Sequence, residues 1–186
     1  MSKLTQIILE SVVEKLDEQQ QHKSAGTSLN QVSAGLKNAP VKEGDVGVDV
    51  GGGKYDKGVE HFASKGAKLH VYDPYNRSEA HNKIVEAKMH GKADYVGCHN
   101  VLNVIKEKEH RAGVLHKIKQ FMGPKGTAHI TVYEGDKSGN GRETKGGESW
   151  QNHQPTAWYH DEIKKAFPDH TITKHKGGYL IKKSEE

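Results

Sequence analysis

The residues with the clearest chemical meaning are a turn of three glycines and two aspartates that belong to it. Asp49 lies in a β-branched apolar run that ends at Val50, and Gly51, Gly52 and Gly53 follow this run directly. A second apolar run ends in Asp73, about 20 residues later. Glycines let a backbone turn tightly or lie against a ligand, because they carry no side chain. A carboxylate at Asp73 can accept two hydrogen bonds from a ribose diol. The pattern therefore predicts a nucleotide-binding strand, turn and helix.

The chemistry of this turn favours a cationic ligand without phosphates. Tyr55 stands where a third glycine of the dinucleotide fingerprint is expected, and that glycine matters most when a pyrophosphate lies on the helix N-terminus. The acidic Asp49 also suits a cation better than an anion. S-adenosylmethionine (SAM) carries adenosine, a sulfonium and an ammonium, and no phosphate. The alternative, a plain glycine turn between a strand and a helix, is disfavoured because Asp73 is also present.

These residues resemble the first two binding motifs of class I SAM-dependent methyltransferases, and the resemblance extends over residues 46–183. It implies an α/β, Rossmann-like sheet with helices on both faces and an antiparallel final strand pair. It also implies SAM as the cofactor, with its methionine end over the glycines and its ribose on Asp73. Tyr75 could lie against the adenine, and Asn100 matches the family by position alone. The predicted cofactor-binding residues are Asp49, Gly51, Gly52, Gly53, Asp73, Pro74, Tyr75, Asn100 and Val101.

Four short segments are similar, more narrowly, to small phage and bacterial methyltransferase-like proteins. They are Asp49-Val50-Gly51-Gly52-Gly53, Asp73-Pro74-Tyr75-Asn76-Arg77, Asn100-Val101-Leu102-Asn103-Val104-Ile105 and Tyr133-Glu134-Gly135-Asp136. The third segment is also similar to methyltransferases associated with DNA phosphorothioation. This resemblance implies cofactor use and leaves the methyl acceptor open.

Side chains after the last parallel strand are the candidates for proton transfer. Tyr133, Glu134 and Asp136 end a predicted strand on the ligand side, where a phenol or carboxylate could take a proton from the acceptor. His99 and His153 are second choices for this base. A solvated turn is the alternative interpretation of Glu134 and Asp136.

Amide and aromatic residues are the candidates for contact with the acceptor. Aromatic rings among amides and basic residues can stack on a nucleobase and read its edges. For the aromatic segment, a core anchor after a long polar loop is an alternative of equal weight. Asn100 and Asn103 could instead cap the next helix, although a mixed role is favoured. The predicted acceptor-binding residues are Asn30, Asn103, Trp150, Gln151 and Tyr159.

Two absences narrow the acceptor chemistry. No Asn/Asp-Pro-Pro-aromatic segment, the signature of amino-methylating DNA enzymes, follows the fourth predicted strand of the family pattern. No Pro-Cys nucleophile is present either, because Cys98 follows Gly97 inside a predicted strand and should pack as a small apolar residue. Methylation of a base carbon is therefore disfavoured.

Alternating strand and helix patterns place these residues at one edge of a sheet. Apolar runs and a glycine-centred hairpin predict strands at 46–50, 68–72, 94–99, 128–133, 171–174 and 179–183. Apolar periodicity predicts helices at 56–65, 79–89, 107–121 and 159–167, with Ile84 on the inner side of the second. A turn is predicted at 122–127. No strand lies between residues 89 and 94, so the sheet should be reduced where the family has its third strand.

Length and composition indicate one domain. Residues 1–45 should form an amphipathic helix at 3–18 and a candidate lid, and residues 46–183 the core; the loop at 134–150 is a second candidate lid. Cys98 is the only cysteine, and we expect no membrane span and no secretory signal, hence a cytoplasmic protein. The thirteen histidines lack metal-ligand spacing, so we expect no metal site. Monomer and homodimer both stay open.

The function predicted from these features is methyl transfer from SAM to an acceptor, for which nucleic acid or a nucleotide is the candidate. The main alternative is a module that binds SAM or nucleic acid without turnover. It is favoured by the basic glycine-rich loop and the aromatic residues that follow it, and the net charge of +4 permits contact with nucleic acid without demanding it. Cleavage of SAM without an acceptor is a third hypothesis.

Overall fold

Six strands form one sheet at the centre of the computed structural model, which describes residues 28–147 and 149–184. These strands are β1 Val46–Val50, β2 Lys68–Tyr72, β3 Ala93–His99, β4 Met122–Thr131, β7 His170–His175 and β8 Gly178–Lys183. Their order is β2-β1-β3-β4-β8-β7. The first four strands are parallel, and β8 is antiparallel to both β4 and β7. A separate antiparallel pair consists of β5 Arg142–Glu143 and β6 Trp150–Gln151.

Helices cover both faces of the sheet. Within the described residues the α-helices are α1 Ala34–Lys37, α2 Lys57–Ser64, α3 Glu79–Met89, α4 Lys108–Phe121 and α5 His160–Ala166, and 3-10 helices span Leu102–Val104, Lys145–Gly147 and Thr156–Tyr159. The larger buried cluster joins α3, α4 and α5 through Val85, Leu115 and Ile163. The smaller cluster, on α1 and α2, includes Phe62 and Tyr95. The fold is therefore the predicted Rossmann-like α/β architecture.

The central position of β1 follows from its sequence. Four of the five residues in Val46–Val50 are buried, since a parallel strand is covered by helices on both faces. On α4, Leu115, Ile118 and Phe121 recur every three residues and are all buried, as the apolar side of a packed helix should be. Because β1 to β4 run parallel, their carboxyl ends meet at one edge of the sheet.

The sheet is reduced beyond β2, as predicted. No strand lies outside β2 in the part of the chain that the structure describes, and α3 leads directly to β3. His81 of α3 places Nε2 2.7 Å from the carbonyl oxygen of Val71. Helix α3 therefore covers part of β2, which is the edge strand of this sheet and has no further strand beside it among the described residues.

The structure corrects three local predictions. Ile84 lies on the outer side of α3 and is 64% exposed, rather than packed. The predicted turn at 122–127 belongs to β4: Met122 pairs with Ala93 and Thr127 with Tyr95, so the residues between them form a bulge.

The third correction concerns strand and helix ends. β4 ends at Thr131, so Tyr133 lies beyond the strand, and the helix predicted at 159–167 is divided into a 3-10 turn and α5. The helices predicted at 56–65, 79–89 and 107–121 are present within one residue at each end.

The helix predicted at 3–18 and the beginning of the first candidate lid lie outside the described residues. The single domain over residues 1–186 therefore stays a prediction. In residues 28–147 and 149–184, no helix combines the length and the apolar character that a membrane crossing requires.

Candidate ligand-binding site

A cavity of about 600 Å³ opens at the carboxyl ends of the parallel strands. It lies where the chain order reverses, since β2 flanks β1 on one side and β3 on the other, and open α/β sheets bind ligands at such a point. Its volume falls within the range of small-molecule sites. All nine predicted cofactor-binding residues line it: Asp49, Gly51, Gly52, Gly53, Asp73, Pro74, Tyr75, Asn100 and Val101.

The glycine turn requires glycine for two physical reasons. Gly51 and Gly53 have φ angles of 76° and 79°, in the left-handed region that disfavours other residues. A Cβ on Gly51 would also lie 2.5 Å from Cγ2 of Val101, and one on Gly53 would meet Oγ of Ser28. Backbone conformation and close packing therefore both select these glycines.

Asp73 holds the turn through four hydrogen bonds. Its Oδ2 accepts from the amide of Gly53 at 2.8 Å and from Nδ2 of Asn76 at 3.0 Å. Its Oδ1 accepts from the amides of Tyr75 and Asn76 at 2.9 and 3.0 Å. The carboxylate is buried, and protein donors fill its acceptor positions in this conformation. Its contact with a ribose diol stays a prediction.

Two residues that the sequence analysis did not single out support this arrangement. Asn82 is buried, and its side-chain amide bonds to the backbone of Asp73 on both sides. It accepts from the backbone amide and donates to the carbonyl, both at 3.0 Å. Arg77 donates through Nε to the carbonyl of Gly53 at 2.9 Å and pairs with Asp56 at 2.8 Å. A polar residue in line with the apolar positions of α3 was the available signal for Asn82.

Asp49 lies directly beneath the glycine turn. It is 6% exposed, and no hydrogen bond reaches its carboxylate from the described residues. Burial, with a further contribution from the charge of Asp73, raises its pKa to about 7. A Cβ on Gly52 would lie 2.7 Å from Oδ2 of Asp49, so glycine allows the backbone to lie against this group. A cationic ligand at this point would stabilise the ionised carboxylate.

Asn103 and Gln151 form a closed set of hydrogen bonds around Tyr133. Asn103 accepts from the amide of Tyr133 at 3.3 Å, and Gln151 donates to its carbonyl at 3.0 Å. The two side chains are joined by a bond of 3.0 Å from Nδ2 of Asn103 to Oε1 of Gln151. Both amides are buried, while the ring of Tyr133 lines the cavity and Tyr133 is 61% exposed.

The remaining predicted acceptor contacts divide between the cavity and the core. Trp150 lines the cavity; its Nε1 donates to Asn152 at 2.7 Å, and Nζ of Lys106 lies 4.7 Å from the ring centroid. Tyr159 is fully buried outside the cavity lining, and its hydroxyl accepts from Asn152, so its contact with an acceptor stays a prediction. Asn30 is exposed and is not part of the cavity lining.

Asn152 is a further residue that the sequence analysis missed as a site support. Its side-chain amide donates to the carbonyls of Leu102 and Ile105 at 3.0 and 3.1 Å, which ties the segment after β6 to the loop after β3. Its position next to Gln151 in an amide-rich segment was the only signal in the sequence.

Glu134 and Asp136 are held by cations outside the cavity lining. Glu134 accepts from the amide and hydroxyl of Thr156 and pairs with Lys137 at 2.6 Å, and these contacts lower its pKa to about 2. Asp136 pairs with Arg142 at 2.6 Å, and this bond lowers its pKa. Lowered pKa values make both groups weak bases. Their catalytic role stays a prediction, and so does that of Tyr133.

The second-choice bases are also engaged. Nδ1 of His153 accepts from the amide of Asp136 at 3.1 Å. His99 lines the cavity floor, with Nε2 2.9 Å from the hydroxyl of Tyr95 and Nδ1 3.0 Å from Oγ1 of Thr131. Burial, with His129 beside it, lowers the pKa of His99 to about 3, so the ring is neutral at physiological pH.

Asn100 is the residue that turns the chain into the cavity after β3. Its φ of 60° lies in the left-handed region, which asparagine tolerates better than most residues, and its amide donates to the carbonyl of Thr131 at 3.0 Å.

Among the residues that the structure describes, no group of three or more side chains could hold a metal ion.

Comparison with known proteins places the chain by its fold. No protein-family model and no curated protein sequence matches it. It is 14% identical to 1,6-didemethyltoxoflavin-N1-methyltransferase of Burkholderia thailandensis, crystallised with 1,6-didemethyltoxoflavin and S-adenosylhomocysteine; the TM-score is 0.56, over 98% of this chain and 90% of that one.

Two further structures share the fold at similar distance. A TehB-like SAM-dependent methyltransferase of Corynebacterium glutamicum is 11% identical, with a TM-score of 0.52 over 94% of this chain and all of that one. A protein of Rhodobacter sphaeroides named as a zinc-dependent alcohol dehydrogenase is 11% identical, with a TM-score of 0.54 over 78% and 86%. At such identities the likeness shows the Rossmann-like fold, and function has to be argued from the site.

Proposed function

We propose that the cavity binds SAM and that the protein transfers its methyl group to an acceptor. The observation that carries this proposal is the pair of buried carboxylates, Asp49 and Asp73, at a glycine turn, with no unpaired lysine or arginine among the described residues of the lining. Lys117 is the only lysine or arginine among the described lining residues, and its Nζ lies 2.5 Å from Oε1 of Glu86. A dinucleotide pyrophosphate would meet two carboxylates at this turn, whereas an ammonium or sulfonium would be attracted to them.

The lining supports one orientation of the cofactor. Its methionine end would lie over the glycine turn, where Asp49 can face the ammonium. Its adenosine would extend toward the α4 residues that line the cavity at spacings of three and four, namely His110, Gly113, Val114 and Lys117. The ribose would then lie beside Asp73, as the family resemblance implies.

The chemistry requires little more than alignment. Bound SAM supplies a methyl group already activated by the sulfonium. The residues of this chain hold the acceptor and the cofactor in line, and such positioning accounts for much of the acceleration in group transfer. The lobe formed by Tyr133, Asn103, Gln151 and Trp150 is the place for the acceptor, for which we propose nucleic acid or a nucleotide. The two methyltransferases of the same fold are consistent with this function.

A second function, binding of SAM or nucleic acid without turnover, is favoured by one observation. Glu134 and Asp136 do not line the cavity, and Asp49 and Asp73 are the only carboxylates among the described residues that do. A module that only binds would not need a further carboxylate base. Methyl transfer to a nitrogen that loses its proton to water would not need one either, so turnover has to be measured.

Isothermal titration with SAM, S-adenosylhomocysteine and NAD⁺ tests the cofactor. We expect binding of the first two and none of NAD⁺. Asp49→Asn should weaken SAM binding by about 10-fold or more, because the substitution removes the buried negative charge that would face the cation of SAM. Asp161→Asn, which changes a fully exposed carboxylate, is the matched control and should bind as the wild type does. Absence of binding by either adenosyl ligand would contradict the proposal, as would tighter binding of NAD⁺.

Transfer of radiolabelled methyl groups separates the two functions. Label that appears in nucleic acid or a nucleotide establishes the enzyme. SAM that binds and stays intact with every acceptor establishes the module. Loss of SAM without a labelled product would instead support cleavage.

A further inference from the structure

We propose that the mouth of the cavity binds single-stranded nucleic acid and admits one base, which stacks on Tyr133 and receives the methyl group. This inference rests on the proposed function and narrows its acceptor. The step is a displacement: a ring nitrogen of the base attacks the methyl carbon with its lone pair, and the carbon–sulfur bond breaks with its electron pair going to sulfur. S-adenosylhomocysteine forms, and the positive charge passes from the sulfonium to the methylated base.

The first support is the way in which the fold presents Tyr133. Its backbone amide and carbonyl are both held by buried side-chain amides, Asn103 and Gln151, which also bond to each other. Buried amides that are bonded in this way stabilise one conformation of the backbone at Tyr133. Tyr133 is 61% exposed and belongs to the cavity lining, and its ring is the part of the residue that these backbone bonds leave unengaged. Fixed backbone and exposed ring together describe a stacking surface.

The second support is the neutrality of the lobe that would take the base. Asn103, Gln151, Thr144 and Ser149 are its polar lining, and His99, which also lines the cavity, is kept neutral because burial lowers its pKa. A phosphate placed inside would find no unpaired lysine or arginine in the described lining. An uncharged planar ring with polar edges suits this lobe, and a charged phosphate does not.

The third support is the charge outside the mouth. Lys54 and Lys106 are exposed, and each places its Nζ over an aromatic ring of the lining, 5.2 Å from the centroid of Tyr55 and 4.7 Å from that of Trp150. Neither lysine is paired with a carboxylate among the described residues. Cations beside aromatic rings of the lining, together with a lobe that lacks charged side chains, match a polymer whose phosphates stay outside while a base enters.

Fluorescence anisotropy with a labelled 12-nucleotide single-stranded DNA tests the rim. We expect binding that weakens with salt, and we expect the double variant Lys54→Gln, Lys106→Gln to bind about 10-fold more weakly with a shallower salt dependence. The matched control is Lys92→Gln, Lys125→Gln, which removes two exposed lysines next to the amino ends of β3 and β4, at the opposite edge of the sheet. Equal losses in the two double variants would overturn the proposal.

Substitution of Tyr133 separates a stacking ring from a catalytic phenol. Tyr133→Phe keeps the ring and should bind the oligonucleotide within about three-fold of the wild type, whereas Tyr133→Ala should lose about 10-fold or more in oligonucleotide binding. A Phe variant that binds the oligonucleotide but transfers no methyl would support the stacking role and give the hydroxyl a catalytic role as well. Equal oligonucleotide affinity of the Ala and Phe variants would overturn the stacking role.

Titration of the same proteins with SAM keeps the two proposals apart. Normal SAM binding without oligonucleotide binding overturns the nucleic-acid inference and leaves the proposed function intact. Absence of SAM binding by the wild-type protein overturns the proposed function, whether or not the oligonucleotide binds. A preference for duplex DNA, or equal methylation of free nucleosides that does not depend on salt, overturns the single-strand inference.

Discussion

Asp49 and His99 both lie at the floor of the cavity, and both are almost fully buried, yet the fold treats them in opposite ways. Asp49, beneath the glycine turn, receives no hydrogen bond from the described residues, and burial raises its pKa to about 7. His99, at the end of β3, is bonded through both ring nitrogens, and burial lowers its pKa to about 3. The carboxylate without a hydrogen bond is suited to bind a ligand, whereas the imidazole that is bonded through both nitrogens stabilises the cavity lining.

The same contrast extends to the two halves of the site. On the cofactor half, every predicted residue lines the cavity, and hydrogen bonds to Asp73 hold the backbone that the ligand would meet. On the acceptor half, the predicted carboxylates Glu134 and Asp136 pair with cations elsewhere, and Tyr159 lies in the core. The site therefore resembles the prediction on its cofactor half and departs from it on its acceptor half.

The largest effect should come from removing the open carboxylate. At pH 8 the ionised Asp49 is a cost to the folded state, because its pKa is raised from 3.8 to about 7; the shift corresponds to about 4 kcal/mol. Stability is therefore greatest when the group is protonated and falls as the pH rises from about 4 to about 7. Asp49→Asn should be more stable than the wild type by about 4 kcal/mol at pH 8 and by about 1 kcal/mol at pH 4.5. Urea unfolding at the two pH values measures this, and a constant difference would contradict it.

A slightly smaller effect should come from removing the hydrogen bonds that Asn82 makes to the backbone of Asp73. Asn82→Ala leaves the buried amide and carbonyl of Asp73 without partners, which should lower the free energy of unfolding by about 3 kcal/mol. Asn38→Ala, which removes one exposed bond to the carbonyl of Ala34, is the control and should cost about 0.5 kcal/mol or less. Chemical denaturation measures both variants. Similar losses at the two sites would remove the distinction between a built support and an ordinary surface.

The imidazole side of the comparison predicts the opposite response to pH. His129, in edge contact with His99 at 5.0 Å between ring centroids, is buried, and its pKa is lowered to about 4. Below pH 6.5 the unfolded chain binds the proton and the folded one does not, so stability is lost as the pH falls from about 6.5 to about 4. His129→Leu should lose about 2 kcal/mol less than the wild type between pH 7 and pH 4.5. Parallel pH profiles of unfolding would contradict this.

The smallest effect sharpens the link between Asp49 and the ligand. At pH 6.5 most of the free protein carries a proton on Asp49, and a cationic ligand favours its loss. SAM binding should therefore release about half a proton or more, seen as a heat that varies with the ionisation enthalpy of the buffer. Asp49→Asn should abolish the release. A release that persists in this variant would assign the proton to another group.

Residues 46–105 of the site were predictable because their constraints are local. Gly51 and Gly53 need positive φ angles, and the runs around Asp49 and Asp73 could only be strands that end at one edge. Asn82 and Arg77 escaped notice because their partners lie 9 and 24 residues away and leave no periodic pattern. The roles of Glu134 and Asp136 escaped for a related reason, since a carboxylate at a strand end looks the same whether it faces a ligand or Thr156 and Arg142.

The sequence by itself determined the α/β fold, the reduced edge beyond β2 and the glycine turn, because apolar periodicity and backbone stereochemistry act over a few residues. Only the tertiary structure decided which polar groups are left open. It surrounded Asp73 with donors, left Asp49 facing the cavity, and used Asn103 and Gln151 to hold Tyr133 in place. Burial and hydrogen-bond partners depend on what packs against each residue, and that information is not present in the order of residues along one segment.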